Sequence, residues 1–234
     1  MGIVTIQEMT CKNPISLIGY EAGICWGAAV GDQEKDKARG LDCLRCNHGR
    51  TLEFPQIYII VDGYSARMIR ELYTHIGGAP TRLQASTRYI KYGNFEYITP
   101  PSIENNPEAK EKYERLMYQI SETFKDLETL GIPNEDIANI LPLGMETKIV
   151  LRTNLRQLLE MAEQRLCSRA YWEFRVFMRE LINKLKEYSS EWEELLNEFC
   201  KCKCEILGYC PERYSCGRFA RKSWQNKKFI VLYI

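Results

Sequence analysis

Between residues 81 and 89 the chain concentrates groups that recognise an anion. Thr81, Arg82, Gln84, Ser86, Thr87 and Arg88 follow one another with little apolar sequence between them. Hydroxyls, backbone N–H groups and guanidinium forks all complement a phosphate. Read alone, the same stretch is equally an ordinary solvated loop. A second set lies further on, where Asn154, Leu158, Met161 and Arg165 form one stripe of an expected helix. The interval from Asn154 to Arg165 turns about 1100° and rises roughly 16 Å, so its polar ends would touch different parts of a large ligand. A third set is the cysteines. Cys43-x2-Cys46, and Cys200-x-Cys202-x-Cys204 with Cys210 and Cys216, offer thiolates for a structural zinc, but Cys-x-Cys is tighter than the usual knuckle spacing and no histidine is near the tail, so buried or free thiols are the expected state there. No cysteine stands in an evident activating pair with a histidine, so a thiol nucleophile is not indicated.

These groups need a frame. Ser65 to His75 has the helical apolar spacing, with Met68, Leu72 and His75 on one side and Ile69 and Tyr73 alongside. Gly77, Gly78 and Pro80 end that helix, and a polar loop follows. Phe54 to Val61 is rich in β-branched and aromatic residues and predicts a buried strand, which Asp62-Gly63 closes as a turn. Tyr89 to Tyr97 alternates as a second strand, and Glu146 to Leu151 as another. Residues 1–24 predict a strand and a short helix at a sheet edge, and residues 30–42 an exposed helix or loop. Asn106 to Leu130 keeps the helical period through Tyr113, Leu116, Met117, Ile120, Phe124, Leu127 and Leu130. Glu135 to Leu141 predicts a short helix. Thr153 caps a helix to Leu166, Ser168 one to Tyr188, and Ser189 to Cys200 is more helix. An apolar run, Phe229 to Ile234, ends the chain. The pattern thus predicts both strands and long helices.

Composition limits the function classes. The chain has 234 residues and a formal charge of +1 from 32 basic and 31 acidic side chains. That balance asks for neither nucleic acid nor an anionic membrane. No apolar run reaches membrane-spanning length, and the N-terminus lacks a signal peptide's series, so a cytoplasmic location is expected. Ten cysteines in a reducing compartment argue against a disulfide framework. Neither a Gly-x-Gly-x-x-Gly turn nor a Walker loop is present, so a standard dinucleotide or P-loop fold is not expected.

Three separated segments together resemble the flavin-dependent thymidylate synthases. His48-Gly49-Arg50-Thr51-Leu52-Glu53-Phe54 is similar to that family's His-x-Ser/Thr-x-x-Glu-His. Gln84-Ala85-Ser86-Thr87-Arg88-Tyr89 resembles its Gln/Glu-x-Ser-x-Arg-Tyr phosphate loop. Leu141-Pro142-Leu143, Glu146-Thr147-Lys148, Asn154-x-Arg156, Arg165-Leu166 and Ala170-Tyr171-Trp172-Glu173 follow it with their spacings. The resemblance runs from about residue 10 to 195. It implies an α+β fold with an antiparallel or mixed sheet flanked by long helices, a catalytic unit over 1–195, a cysteine-rich basic extension over 196–234, and a homotetramer binding FAD and dUMP between subunits. By position, His48, Arg50, Glu53, Asn154 and Arg156 would contact FAD. Glu71, Gln84, Ser86, Thr87, Arg88 and Arg165 would bind dUMP, and His75 and Arg165 would be catalytic. No metal is implied. The implied reaction makes dTMP from dUMP, with methylenetetrahydrofolate as carbon donor and NADPH as reductant.

The chain departs from the family at its Arg-His-Arg signature, which reads Thr74-His75-Ile76, and the following loop is about two residues longer. An isoleucine cannot imitate a guanidinium; Arg82 or Arg50 is expected to return the charge. Phe54 replaces the second histidine of the first motif, and Asn139 stands where an arginine is common. A different pyrimidine nucleotide or one-carbon donor is therefore an alternative reading. So is a zinc-binding nucleic-acid protein, drawing on Arg218, Arg221, Lys222, Lys227 and Lys228, and so is an inactive scaffold.

Overall fold

Alternating burial along two long strands sets the architecture. In the computed structural model, which describes residues 2–75 and 81–222, β1 (Ile3–Ile6), β2 (Gln56–Ser65), β3 (Thr81–Gln84) and β4 (Glu146–Asn154) form one sheet. Its order is β1-β2-β4-β3, and every described pairing is antiparallel. Ile57, Ile59 and Val61 of β2 and Ile149 and Leu151 of β4 are buried on one face, as a side-chain period of two requires.

Helices cover that face: α1 (Pro14–Cys25), α2 (Gln33–Arg45), α3 (Ala66–Leu72), α7 (Leu155–Arg165), α8 (Trp172–Tyr188) and α9 (Ser190–Phe199). Their buried side chains, Phe174, Phe177, Leu181 and Trp192 among them, join the strand residues in one core. The chain also contains α4 (Pro101–Glu104), α5 (Pro107–Thr129), α6 (Asn134–Ile137) and α10 (Lys203–Leu207). A smaller core of Tyr92, Phe124, Ile137 and Met145 lies beneath α5.

Two buried glutamates join helices that are distant in sequence. Glu191 of α9 accepts from the N–H groups of Ile15 and Ser16 at 2.8 and 2.9 Å, and so caps α1. Glu173 of α8 accepts from the Ser65 N–H at 2.6 Å and its hydroxyl at 2.5 Å, where α3 begins. Such carboxylates satisfy helix-start donors and complement the positive end of the helix dipole.

Several expectations give way to the tertiary structure. Asp62-Gly63 does not end β2: the strand passes through a bulge between Asp62 and Tyr64, where Gly63 adopts φ +69°, and pairs with β4 as far as Ser65. The loop after α3 contains β3, an edge strand held by its register with β4. Tyr89 to Tyr97 is not a strand; Tyr97 makes one isolated bridge to Met145, and Tyr92 packs into the small core. Residues 30–42 lie mainly in α2, which is not simply exposed. A Cβ at Gly19 would fall 1.7 Å from the Asp36 carbonyl oxygen, so α1 and α2 touch backbone to backbone. Asn154, not Thr153, caps α7: it is the last residue of β4, and its side chain accepts from the Gln157 N–H. Ser168 lies in a turn, and α8 starts at Trp172. α9 itself agrees with the helix expected from Ser189 to Cys200, and Leu195 and Leu196 are both in the main core.

Asn106 caps α5 as its spacing requires. Of the expected stripe only Met117 and Phe124 are buried, while Leu116 and Leu130 are exposed. Leu83 and Val150 likewise stand exposed on the sheet. Among the described residues no helix is long and apolar enough to cross a membrane. Ile76, Gly77, Gly78 and Pro80, together with Lys227, Lys228 and the run Phe229 to Ile234, lie outside the described residues.

Candidate active site

The candidate site is built around α7. Leu155, Leu158, Met161 and Ala162 bury its inner face, which fixes the helix on the sheet and leaves Arg156 at its start and Arg165 at its end. The Asn154 carboxamide oxygen accepts from the Gln157 N–H at 3.0 Å. Asn154 is buried, so its side chain serves as the cap of this helix.

At the far end of α7 three sequence-distant groups meet. Arg165 donates from Nε to His75 Nε2 at 2.7 Å and from its terminal nitrogens to Glu71 Oε2 at 3.0 Å and Thr74 Oγ1 at 3.2 Å. Its guanidinium lies over the Phe174 ring, 4.7 Å from the centroid. Thr74 Oγ1 is itself fixed by donating to the Glu71 carbonyl at 2.7 Å. Burial, and then the charge of Arg165, hold His75 below the ordinary histidine pKa, against the opposing pull of Glu71 and Glu160. A neutral imidazole that accepts at Nε2 carries its proton on Nδ1. His75 therefore presents an N–H from its other side.

Beside this cluster, the Tyr73 hydroxyl donates to Gln84 Oε1 at 2.5 Å, and the Gln84 amide donates to Thr147 Oγ1 at 3.4 Å. Arg82 stacks on the Tyr73 ring at 3.7 Å. Between α3, β3, β4 and α7 a cavity of about 20 Å³ is lined by His75, Arg82, Thr153 and Gln157 above Leu151 and Met161. That space has room for about one water, so its apolar floor and polar rim complete the packing around His75 and do not by themselves seat a ring. Of the two arginines expected to restore the missing charge, Arg82 is the one beside His75.

At the start of α7, Arg156 pairs with Glu53 at 2.7 Å and Glu160 at 3.1 Å. Arg50 reaches Glu53 at 3.7 Å and is otherwise exposed. His48 is exposed and meets the edge of Trp26, with ring centroids 6.0 Å apart. A groove of about 710 Å³ runs from Gly49 and Leu52 along Arg156, Glu160 and Glu163. Glu163 also lines a second cavity of about 490 Å³, shared by Arg165, Arg169 and the cysteine-rich segment.

Ser86, Thr87 and Arg88 form a separate turn in which Ser86 Oγ accepts from the Arg88 N–H at 3.2 Å. The Arg88 side chain is exposed and pairs with Glu135 at 2.9 Å. Asn139 instead returns its amide to the Asp136 carbonyl at 2.9 Å. Thus the structure joins His75, Glu71 and Arg165 with Gln84 nearby, joins Arg50, Glu53 and Arg156 elsewhere with His48 in the adjoining turn, and pairs Arg88 with Glu135 instead of with either group. Phe174, Tyr73 and Gln157 were not singled out by sequence. The signal for Phe174 was its position directly after Glu173, at the end of a family-like motif. Among the described residues no three His, Cys, Asp or Glu side chains converge as a metal shell needs.

The family model described as "Thymidylate synthase complementing protein" matches residues 6–189. The chain belongs to the flavin-dependent thymidylate synthase family. A flavin-dependent thymidylate synthase from Nitratidesulfovibrio vulgaris is 31% identical over 198 residues, covering 80% of this chain and 78% of the relative. One from Pyrococcus furiosus is 30% identical, covering 95% and 96%. The fold is that of thymidylate synthase X from Helicobacter pylori, whose crystal structure contains FAD and dUMP. It matches with a TM-score of 0.62 at 17% identity, over 84% of this chain and 99% of that one. In this family member, the Glu71–His75–Arg165 cluster and the arginines along α7 lie within the matched residues.

Proposed function

We propose that this chain converts dUMP to dTMP, with FAD as cofactor, methylenetetrahydrofolate as carbon donor and NADPH as reductant, as a cytoplasmic homotetramer. The observation that carries the reading is the convergence of Arg165, His75 and Glu71 on one point from elements far apart in sequence. Family membership supports the rest. FAD, when bound, supplies the hydride chemistry that no side chain can. The chain's own task is to bind, orient and neutralise. Arg165 stabilises negative charge developing on the uracil, and Glu71 and Thr74 hold its fork in one plane. His75, neutral, offers its Nδ1 proton as a donor without adding charge. Gln84, Ser86, Thr87 and Arg88 bind the nucleotide phosphate. His48, Arg50, Glu53, Asn154 and Arg156 hold the cofactor, with Arg82 returning the cation that the Thr74-His75-Ile76 variant lacks.

Uncovered apolar groups support assembly: Leu83 and Val150 on the sheet and Leu116 and Leu130 along α5. Assembly of copies would also unite clusters that one chain keeps apart. The residues following α9 form an extension to this unit.

Purified protein supplemented with FAD is expected to be yellow and to form dTMP only when dUMP, methylenetetrahydrofolate and NADPH are all present. Protein that takes up no FAD would overturn the reading. Flavin uptake with turnover of another pyrimidine nucleotide, but not of dUMP, would favour a changed substrate, to which the variant signature points.

A further inference from the structure

All ten cysteines lie among the described residues, and none is in a disulfide. Five of them fall after the residues that the family model matches. Two of those five form a pair: Cys202 Sγ and Cys204 Sγ are 3.2 Å apart at the start of α10. Arg218 donates to Cys202 Sγ at 2.8 Å, and its guanidinium also lies 3.7 Å from Glu205. The Cys202 N–H donates to Glu205 at 2.8 Å, which fixes the backbone between the sulfurs. Cys202 is fully buried, whereas Cys204 lines the 490 Å³ cavity that Arg165 and Arg169 also line. The pair thus has an inner sulfur, an outer sulfur facing a space of small-molecule size, and a cation able to balance thiolate charge on the inner one.

We infer that Cys202 and Cys204 are a redox-active dithiol, which exchanges with small disulfides entering through this cavity and closes to an intramolecular disulfide. Burial and the neighbouring Cys202 push the Cys204 thiol up to about 11, so its minor thiolate fraction attacks one sulfur of an external disulfide RSSR and expels RS⁻. Cys202 then attacks the Cys204 sulfur of the mixed disulfide and expels the second RS⁻. The two cysteine protons end on these thiolates, giving two RSH. The external disulfide gains the two electrons that the protein loses. Disulfide exchange proceeds through such a mixed intermediate, and strained disulfides are the readily reversed kind. A bond across a single intervening residue, Lys203, closes a small ring of that sort.

Closure changes the Cys202 sulfur to which Arg218 donates. Residues 210–219, which supply one wall of the cavity, also hang on a bond from Arg169 to the Tyr214 carbonyl at 3.0 Å. The redox state of the pair therefore changes the support of a wall that faces Arg165. The exchange itself does not depend on the flavin reading.

The full chain, equilibrated natively in glutathione buffers from reducing to oxidising, is acid-quenched, alkylated and mapped by peptide mass spectrometry. The peptide with Cys202 and Cys204 is expected to lose two hydrogens and escape labelling in oxidising buffer, and to recover both labels in reducing buffer. Arg218→Ala should slow closure about tenfold, with Arg218→Lys largely restoring it, since a neighbouring cation promotes thiolate reactivity. Circular dichroism of each variant checks that the fold is kept. Full labelling of both cysteines in every buffer would overturn the inference, as would pairing of Cys204 with Cys210 or Cys216 instead.

Discussion

Arg156 and Arg165 occupy opposite ends of α7, and their surroundings differ in kind. Arg156 is 44% exposed and held by two carboxylates, Glu53 and Glu160, themselves open to solvent. Arg165 is 17% exposed and held by one carboxylate, a neutral imidazole, a hydroxyl and an aromatic face. Solvent screens the first arrangement, so its partners exchange readily for those of a ligand. The second is directional: each nitrogen of the guanidinium has its own acceptor, and part of the field is shielded from water. One residue type on one helix thus makes an adaptable charge at one end and a preset one at the other. Adaptable charge suits holding a cofactor, and preset charge suits a reacting atom, where misplacement is costly.

The comparison breaks most visibly at Arg165. Arg165→Ala is expected to lower kcat for dTMP formation by about 10²–10³-fold, the usual effect of removing a preorganised stabiliser of developing charge. FAD titration of the same variant should show unchanged affinity. Loss of FAD instead would mean that the buried end also holds the cofactor.

A second measurement uses pH. The folded pKa of His75 lies below its ordinary value of 6.5, so the unfolded chain takes up the proton first as pH falls. The contribution of the Arg165–His75 bond is then fully present above pH 6.5 and is lost as pH drops through the lower, folded value. kcat/KM should fall on the acid side with that folded value. His75→Gln, whose carbonyl can still accept from Arg165, should lack this acid limb. A limb that survives in the variant would assign the titration to another group.

The smallest effect belongs to the exposed end. Arg156→Ala is expected to weaken FAD binding about fivefold, as for one solvent-screened charge contact. Thermal unfolding of the variant should show no measurable shift, and kcat at saturating FAD should not change. A fall in kcat as large as that of Arg165→Ala would erase the distinction between the two ends.

Local chemistry made much of the frame legible. Asn106-Pro107 announces the start of α5, and the observed helix begins there because a side-chain acceptor and a preset φ act within one turn. β2 was readable from its β-branched residues. β3 was not, because Thr81–Gln84 contains no buried residue and is defined only by pairing with β4. Thr153 and Asn154 are both good caps by type; Asn154 serves because β4 ends there and its side chain reaches the Gln157 N–H. The His48, Gln84–Arg88 and Asn154–Arg156 motifs were readable by residue type, but gave no indication that Arg88 would pair with Glu135 or that His48 would stand against Trp26.

Sequence alone therefore established the types of group available, their helical or extended frames, and the family. Residue type and short-range spacing act through the backbone over a few residues, so they are present in the chain before it folds. Tertiary structure decided the partners. Glu71 and Arg165 are 94 residues apart in the chain. Only the packing of α3, α7 and α8 on one sheet face brings them together, and burial among those helices is what keeps the nearby histidine neutral.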